Sequence, residues 1–124
     1  MILIIGGKYE NKEAFARNLC PDAAVCIDGK DCELKLKKAD LILHFETFMH
    51  RLMECGQDVS GIVQKFFEEN PKLVLVSDET GCGIVPCDAA ERRYREILGR
   101  ELCKAAELST AVYRVFAGIG EQIK

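Results

Sequence analysis

Apolar residues in this chain fall into short β-branched runs separated by stretches with helical spacing. Ile2 to Ile5 is a continuous apolar run closed by Gly6-Gly7, which predicts a buried strand followed by a turn. A helix is expected from about Asn11 to Leu19, with Phe15 and Leu19 on one face and Pro21 marking its end. Ala23 to Ile27 reads as a short strand, Asp28-Gly29-Lys30-Asp31 as a turn, and Leu41-Ile42-Leu43 as a strand running into His44-Phe45-Glu46. Val59, Ile62, Val63, Phe66 and Phe67 follow the i, i+3, i+4, i+7 spacing of an amphipathic helix, which Asn70-Pro71 stops. Leu73 to Val76 is another strand. Asp88 and Glu91 have the spacing of an N-cap and its N3 partner, opening a helix that carries Tyr94, Ile97, Leu98, Leu102, Ala105 and Ala106 on one face. Ala111 to Ala117 reads as a last strand, followed by Gly118 and a short tail. Alternating strands and helices imply βαβ units and a mostly parallel sheet in one domain spanning residues 1–124. Ligands of such sheets bind beyond the carboxyl ends of the strands, where the segments after Ile5, Leu43 and Val76 converge.

The first of these segments has chemical content. A phosphate-binding loop reads G-x-x-x-x-G-K-S/T between a strand and a helix. Gly6 and Lys12 stand at that spacing, but Asn11 replaces the second glycine and Glu13 the hydroxyl residue. Glycines permit positive φ and close backbone approach, and Asn11 tolerates the left-handed conformation better than most residues. The candidate phosphate-binding set is therefore Gly6, Gly7, Lys8, Asn11 and Lys12. Glu13 counts against it. It removes the hydroxyl that holds magnesium and sets a carboxylate near phosphate, a repulsion of up to about 4 kcal/mol in a surface-like dielectric, or roughly a thousandfold in affinity. A plain strand–turn–helix junction is the competing reading.

Composition narrows the classes. Hydrophobic content of 48% and charged content of 30% are ordinary for a globular domain, and a net charge of -3 gives no general attraction for nucleic acid. No apolar run has the length of a membrane span and no signal-peptide pattern opens the chain, so the expected location is cytoplasmic. Seven cysteines, with no C-x-x-C pair, argue against a disulfide framework or a zinc motif and read as reduced thiols, with no metal site assigned. Lys35, Lys37 and Lys38 read as a solvated stretch.

Val76-Ser77-Asp78-Glu79-Thr80-Gly81-Cys82-Gly83-Ile84-Val85-Pro86 closely resembles the V-(S/T)-N-E-V-G-x-G-I-V-P segment of the adenosylcobinamide kinase / adenosylcobinamide-phosphate guanylyltransferase family of cobalamin biosynthesis. Ala90 to Arg100 parallels that family's A-R-x-(F/Y)-R-D-x-x-G-R, and Ala117 to Lys124 its S-G-I-G-x-K-I-K tail. Gly6 to Ala16 parallels its phosphate loop. The resemblance implies a P-loop NTPase-like three-layer α/β fold with a mostly parallel central sheet. It also implies GTP or ATP with Mg2+ as cofactors, a corrinoid-pathway ligand, and a homo-oligomer of the trimeric kind. The family phosphorylates adenosylcobinamide and transfers GMP through a guanylylated histidine. In this chain the interval Cys20 to Asp40, shorter than in typical members, contains no histidine. Where the family ends its Walker B strand in an acid, this chain has His44, followed by Glu46 and Thr47. His44 and Glu46, on one strand face by the two-residue period, are candidates for base and metal ligand, with the retained Glu79 as a third. Asp78 stands where the family has Asn. The Arg92, Arg93, Arg95 and Arg100 set reads as a solvated helix face.

Three readings follow. The leading one is a divergent family member with weak or no nucleotide chemistry. The others are a reduced-site kinase using Lys12 with an acidic metal ligand, and a metal or redox protein built on the cysteines and His44.

Overall fold

The structure is a computed structural model that describes residues 1–79 and 88–124. Thr80 to Cys87, which include most of the Val76–Pro86 family-like segment together with Cys82 and Cys87, lie outside the described residues. The elements in chain order are β1 (Ile2–Gly6), α1 (Lys12–Leu19), β2 (Cys26–Asp28), β3 (Leu41–Leu43), α2 (Phe45–Glu54), α3 (Val59–Glu69), β4 (Val74–Asp78), α4 (Ala89–Leu108), β5 (Ala111–Phe116) and β6 (Ile119–Gln122). They build one sheet in the order β2-β3-β4-β1-β5-β6, parallel throughout except for β6.

The two-residue period of the strands divides the core between the faces of the sheet. Leu3, Ile42, Leu75 and Val112 pack against Phe45, Phe48, Leu52, Val63, Phe66 and Leu98 of α2, α3 and α4. Ile4, Leu41, Leu43, Val76 and Val115 face Ala16 and Phe15 of α1. The result is the three-layer α/β arrangement of a P-loop NTPase-like fold. The α4 stripe lies as its spacing predicts: Tyr94, Leu98 and Ala105 are buried, while Ile97, Leu102 and Ala106 pack at the margin. Asp88 caps α4 by accepting a hydrogen bond from the Ala90 amide at 2.8 Å.

Two segments differ from expectation. The strand expected over Ala23 to Ile27 begins only at Cys26, because the Asp40 carboxylate takes the amides of Ala24 and Val25 at 3.0 and 2.8 Å. The expected tail is instead β6, paired with β5 through a two-residue turn at Ala117 and Gly118. Both turn residues have positive φ, 51° and 79°, as a type I′ hairpin requires. The five described cysteines, Cys20, Cys26, Cys32, Cys55 and Cys103, are free thiols.

The turn after β2 sits directly on the start of α2. Gly29 donates its amide to the Leu43 carbonyl at 2.8 Å, and its own carbonyl accepts from Arg51 at 2.9 Å. A Cβ at this position would overlap the His44 carbonyl and lie 2.9 Å from the Phe48 Cβ. Gly99, by contrast, is exposed within α4, and a Cβ there would meet open space. Gly29→Ala is expected to destabilise the protein by about 1–3 kcal/mol through overpacking, and Gly99→Ala to stabilise it by about 0.5–1 kcal/mol through helix propensity. Urea denaturation midpoints of the two variants, moving in opposite directions, check this.

Candidate functional site

The carboxyl ends of β1, β3 and β4 open onto a cleft of about 1080 Å³. Gly6 ends β1 next to Lys12, which lines the cleft, and a Cβ at Gly6 has no room. A Cβ there would stand 2.5 Å from the Val115 carbonyl oxygen and 3.2 Å from Cδ of Lys12, so glycine is required for close approach. Neither Gly6 nor Gly7 uses positive φ. The left-handed positions of the loop fall on Tyr9 (60°) and Asn11 (65°), the latter as its side chain permits. Glu10 ties the loop to the β5–β6 turn: its carbonyl accepts from Gly118 at 3.0 Å and its carboxylate from the Ala117 amide.

Lys12 opens α1 and turns inward. It is 8% exposed, and its Nζ lies 2.6 Å from both the Gly7 carbonyl and Asp78 Oδ1. Asp78 ends β4 opposite Gly6 in the parallel register. Its amide donates to Glu46 Oε2 at 3.0 Å. Glu46 is itself buried in the first turn of α2, and burial, followed by the nearby Asp78 charge, raises its pKa above the ordinary carboxylate range. Tyr94 of α4 donates its hydroxyl to the Glu46 carbonyl at 2.6 Å, and burial pushes its phenol pKa up. Tyr94, Glu46, Asp78, Lys12 and Gly7 thus form one continuous polar chain across the cleft.

The remaining candidates lie around this chain. His44 and Glu46 do not share a strand face. The strand ends at Leu43, and His44 is the N-cap of α2 in the left-handed conformation (φ 52°), while Glu46 follows helical geometry. His44 Nδ1 lies 3.0 Å from Asp28 Oδ1. Glu79 donates its amide to the Gly6 carbonyl at 2.8 Å and pairs with Arg114 at 3.4 Å. Glu13 sits at the cleft margin, paired with Arg17 at 3.0 Å on the exposed side of α1. The solvent and that partner screen it, so the strong repulsion expected from its position is discounted. Lys8 is exposed at the rim. Two features of this site were not foreseen from sequence: Asp78 as the partner of Lys12, and Tyr94 as the anchor of Glu46. Tyr94 carries the one available signal, a hydroxyl within an otherwise apolar stripe.

Three features of these residues bear on a magnesium nucleotide. The lysine that would meet phosphate is already neutralised, the hydroxyl position is Glu13, and among the described residues no group of three or more His, Cys, Asp or Glu is placed to hold a metal ion. No helix among the described residues is long and apolar enough to cross a membrane.

Comparison with known proteins decides the family. The model of the CobU family, cobinamide kinase / cobinamide phosphate guanyltransferase, matches residues 35–123. The chain belongs to this family. It is also similar to the bifunctional adenosylcobalamin biosynthesis proteins CobU of Salmonella typhimurium (strain LT2) and Escherichia coli (strain K12). Each is 43% identical over 53 residues, covering 43% of this chain and 29% of the relative. The match to these curated relatives thus spans under a third of their length. The CobU-family match contains His44, Glu46, Asp78, Glu79 and Tyr94, whereas Gly6 to Lys12 precede it.

Glu46 gives a pH signature. A carboxyl whose folded pKa is raised stabilises the fold fully below its unfolded pKa, and that contribution is lost as pH rises through the folded value. Glu46→Gln keeps an acceptor for the Asp78 amide and removes the charge. The variant is expected to gain stability relative to the parent as pH rises from the ordinary carboxylate range toward neutrality. Urea denaturation of both proteins from acid to neutral pH measures the difference, and a constant difference across the series contradicts the assignment.

Proposed function

We propose that this CobU-family domain serves cobalamin biosynthesis by binding a corrinoid-pathway ligand, with weak or no nucleotide chemistry of its own. The observation that carries this reading is the internal neutralisation of Lys12 by Asp78 at 2.6 Å. Phosphoryl transfer is catalysed chiefly by positioning and by stabilising charge on the transferred group, and the cation suited to both is engaged within the protein. The wider cleft supports the same reading. Among the described residues, Lys8, Lys12, Lys30 and Arg95 line it alongside Glu13, Glu46, Asp78, Glu79 and Glu91, so the cleft offers an anion no net positive charge.

Guanylyl transfer through histidine has little support. The chain has two histidines. His44 is held by Asp28, and His50 lies on α2, 3.1 Å from Glu54 and edge-on to the Tyr94 ring. The reduced-site kinase gains nothing from the acids it needs, since Glu46 holds the Asp78 amide and Glu79 holds Arg114. Self-association, cytoplasmic location and the trimer implied by the family resemblance belong to this proposal. The exposed Phe116 and Ile119 at the β5–β6 turn support an associating surface.

Isothermal titration with GTP and ATP, each with and without magnesium, is expected to show no binding tighter than about 1 mM. Micromolar, magnesium-dependent binding would sink the reading. Titration with adenosylcobinamide, followed in the visible corrin spectrum, is expected to show a saturable change, and an unchanged spectrum removes the corrinoid part.

A further inference from the structure

We infer that Asp78 is a tethered competitor for Lys12, and that this one carboxylate sets the anion affinity of the Gly6–Lys12 loop. The inference rests on the proposed reading of the cleft and names the residue responsible for it.

An ammonium has three donors. Two of those of Lys12 are directed at Gly7 O and Asp78 Oδ1, both at 2.6 Å, the short distance of a charge-assisted bond. Neither partner is mobile in the manner of a surface side chain. Gly7 follows directly on β1, and Asp78 is the last residue of β4, in register with Gly6 and held at its amide by Glu46. A partner fixed in this way acts intramolecularly, at an effective concentration that a free ligand has to exceed.

The surroundings make displacement costly. The Lys12 and Asp78 side chains are 9% and 13% exposed, so water offers little replacement for either partner. An anion that took Lys12 would leave the Asp78 carboxylate unpaired beside buried Glu46, and would itself lie against that carboxylate. Asparagine has the same shape without the charge. Its amide oxygen can still accept from Lys12, but it neither neutralises the ammonium nor repels an incoming anion.

Inorganic pyrophosphate is the probe, measured by isothermal titration at low ionic strength. The wild-type protein is expected to bind it more weakly than about 1 mM. Asp78→Asn is expected to tighten binding at least tenfold, and Lys12→Met added to Asp78→Asn to abolish the gain. Asp22→Asn, at an exposed position away from the cleft, controls for net charge. If Asp78→Asn does not fold by circular dichroism, Asp78→Ser replaces it. An Asp78 variant no tighter than Asp22→Asn, or a gain that survives loss of Lys12, overturns the inference. So does micromolar pyrophosphate binding by the wild type, which keeps the test decisive if neither Asp78 variant folds. Magnesium-nucleotide binding by the wild type decides the proposed function separately: it can fail while the Asp78 effect stands, and the reverse.

Discussion

The parallel register of β1 on β4 is the constraint from which the rest of the site follows. It places Gly6 opposite Asp78. The missing side chain at Gly6 lets the stem of Lys12 cross the end of β1, so the first residue of α1 reaches the last residue of β4. The same register aligns Leu3 with Leu75 and Ile4 with Val76, which divides the apolar residues between the two helical layers. A shift of one residue would exchange the two faces and separate Lys12 from Asp78 together. Core packing and site electrostatics therefore depend on one pairing.

Several charged groups along the cleft are paired within the protein. A buried ion pair is weak evidence for stability, because desolvation offsets much of the Coulomb gain. In the proposed reading, the more informative consequence of Lys12–Asp78 is on availability, since the cation is engaged within the protein. Around it, Glu46 binds an amide, Glu79 pairs with Arg114, Glu13 with Arg17, and His44 with Asp28. CobU-family membership and this internal pairing are the two findings that the proposed reading of the cleft joins.

The fold was legible because its signals are periodic. The Val59–Phe67 and Tyr94–Ala106 stripes are long enough for spacing to place them, and the short apolar runs at Ile2, Leu41 and Val74 are marked as strands by their length and the turn residues around them. The losses were local. Asp40 captures two amides and shortens β2, which no alternation reveals. His44 in the left-handed region ends β3 at Leu43, before the alternation that would carry the strand to Glu46, and so separates His44 from Glu46 in geometry. The loop chemistry was legible as composition and not as pairing. Asp78 could be recognised as added negative charge, but its contact with Lys12 depends on strand order, which places β1 beside β4 although more than sixty residues separate them.

The hairpin formed by β5 and β6 has a consequence beyond the loop it supports. An open parallel sheet ends in strands with unpaired backbone groups, and a long apolar edge is a template for aggregation. Strand β5, with Val112, Tyr113, Val115 and Phe116, would be such an edge. Strand β6 covers it with Ile119-Gly120-Glu121-Gln122, a four-residue strand that turns back antiparallel and ends in two polar residues. At the opposite border β2 has only three residues. The sheet thus presents short, poorly templating strands at both margins, and its most hydrophobic strands lie in the interior.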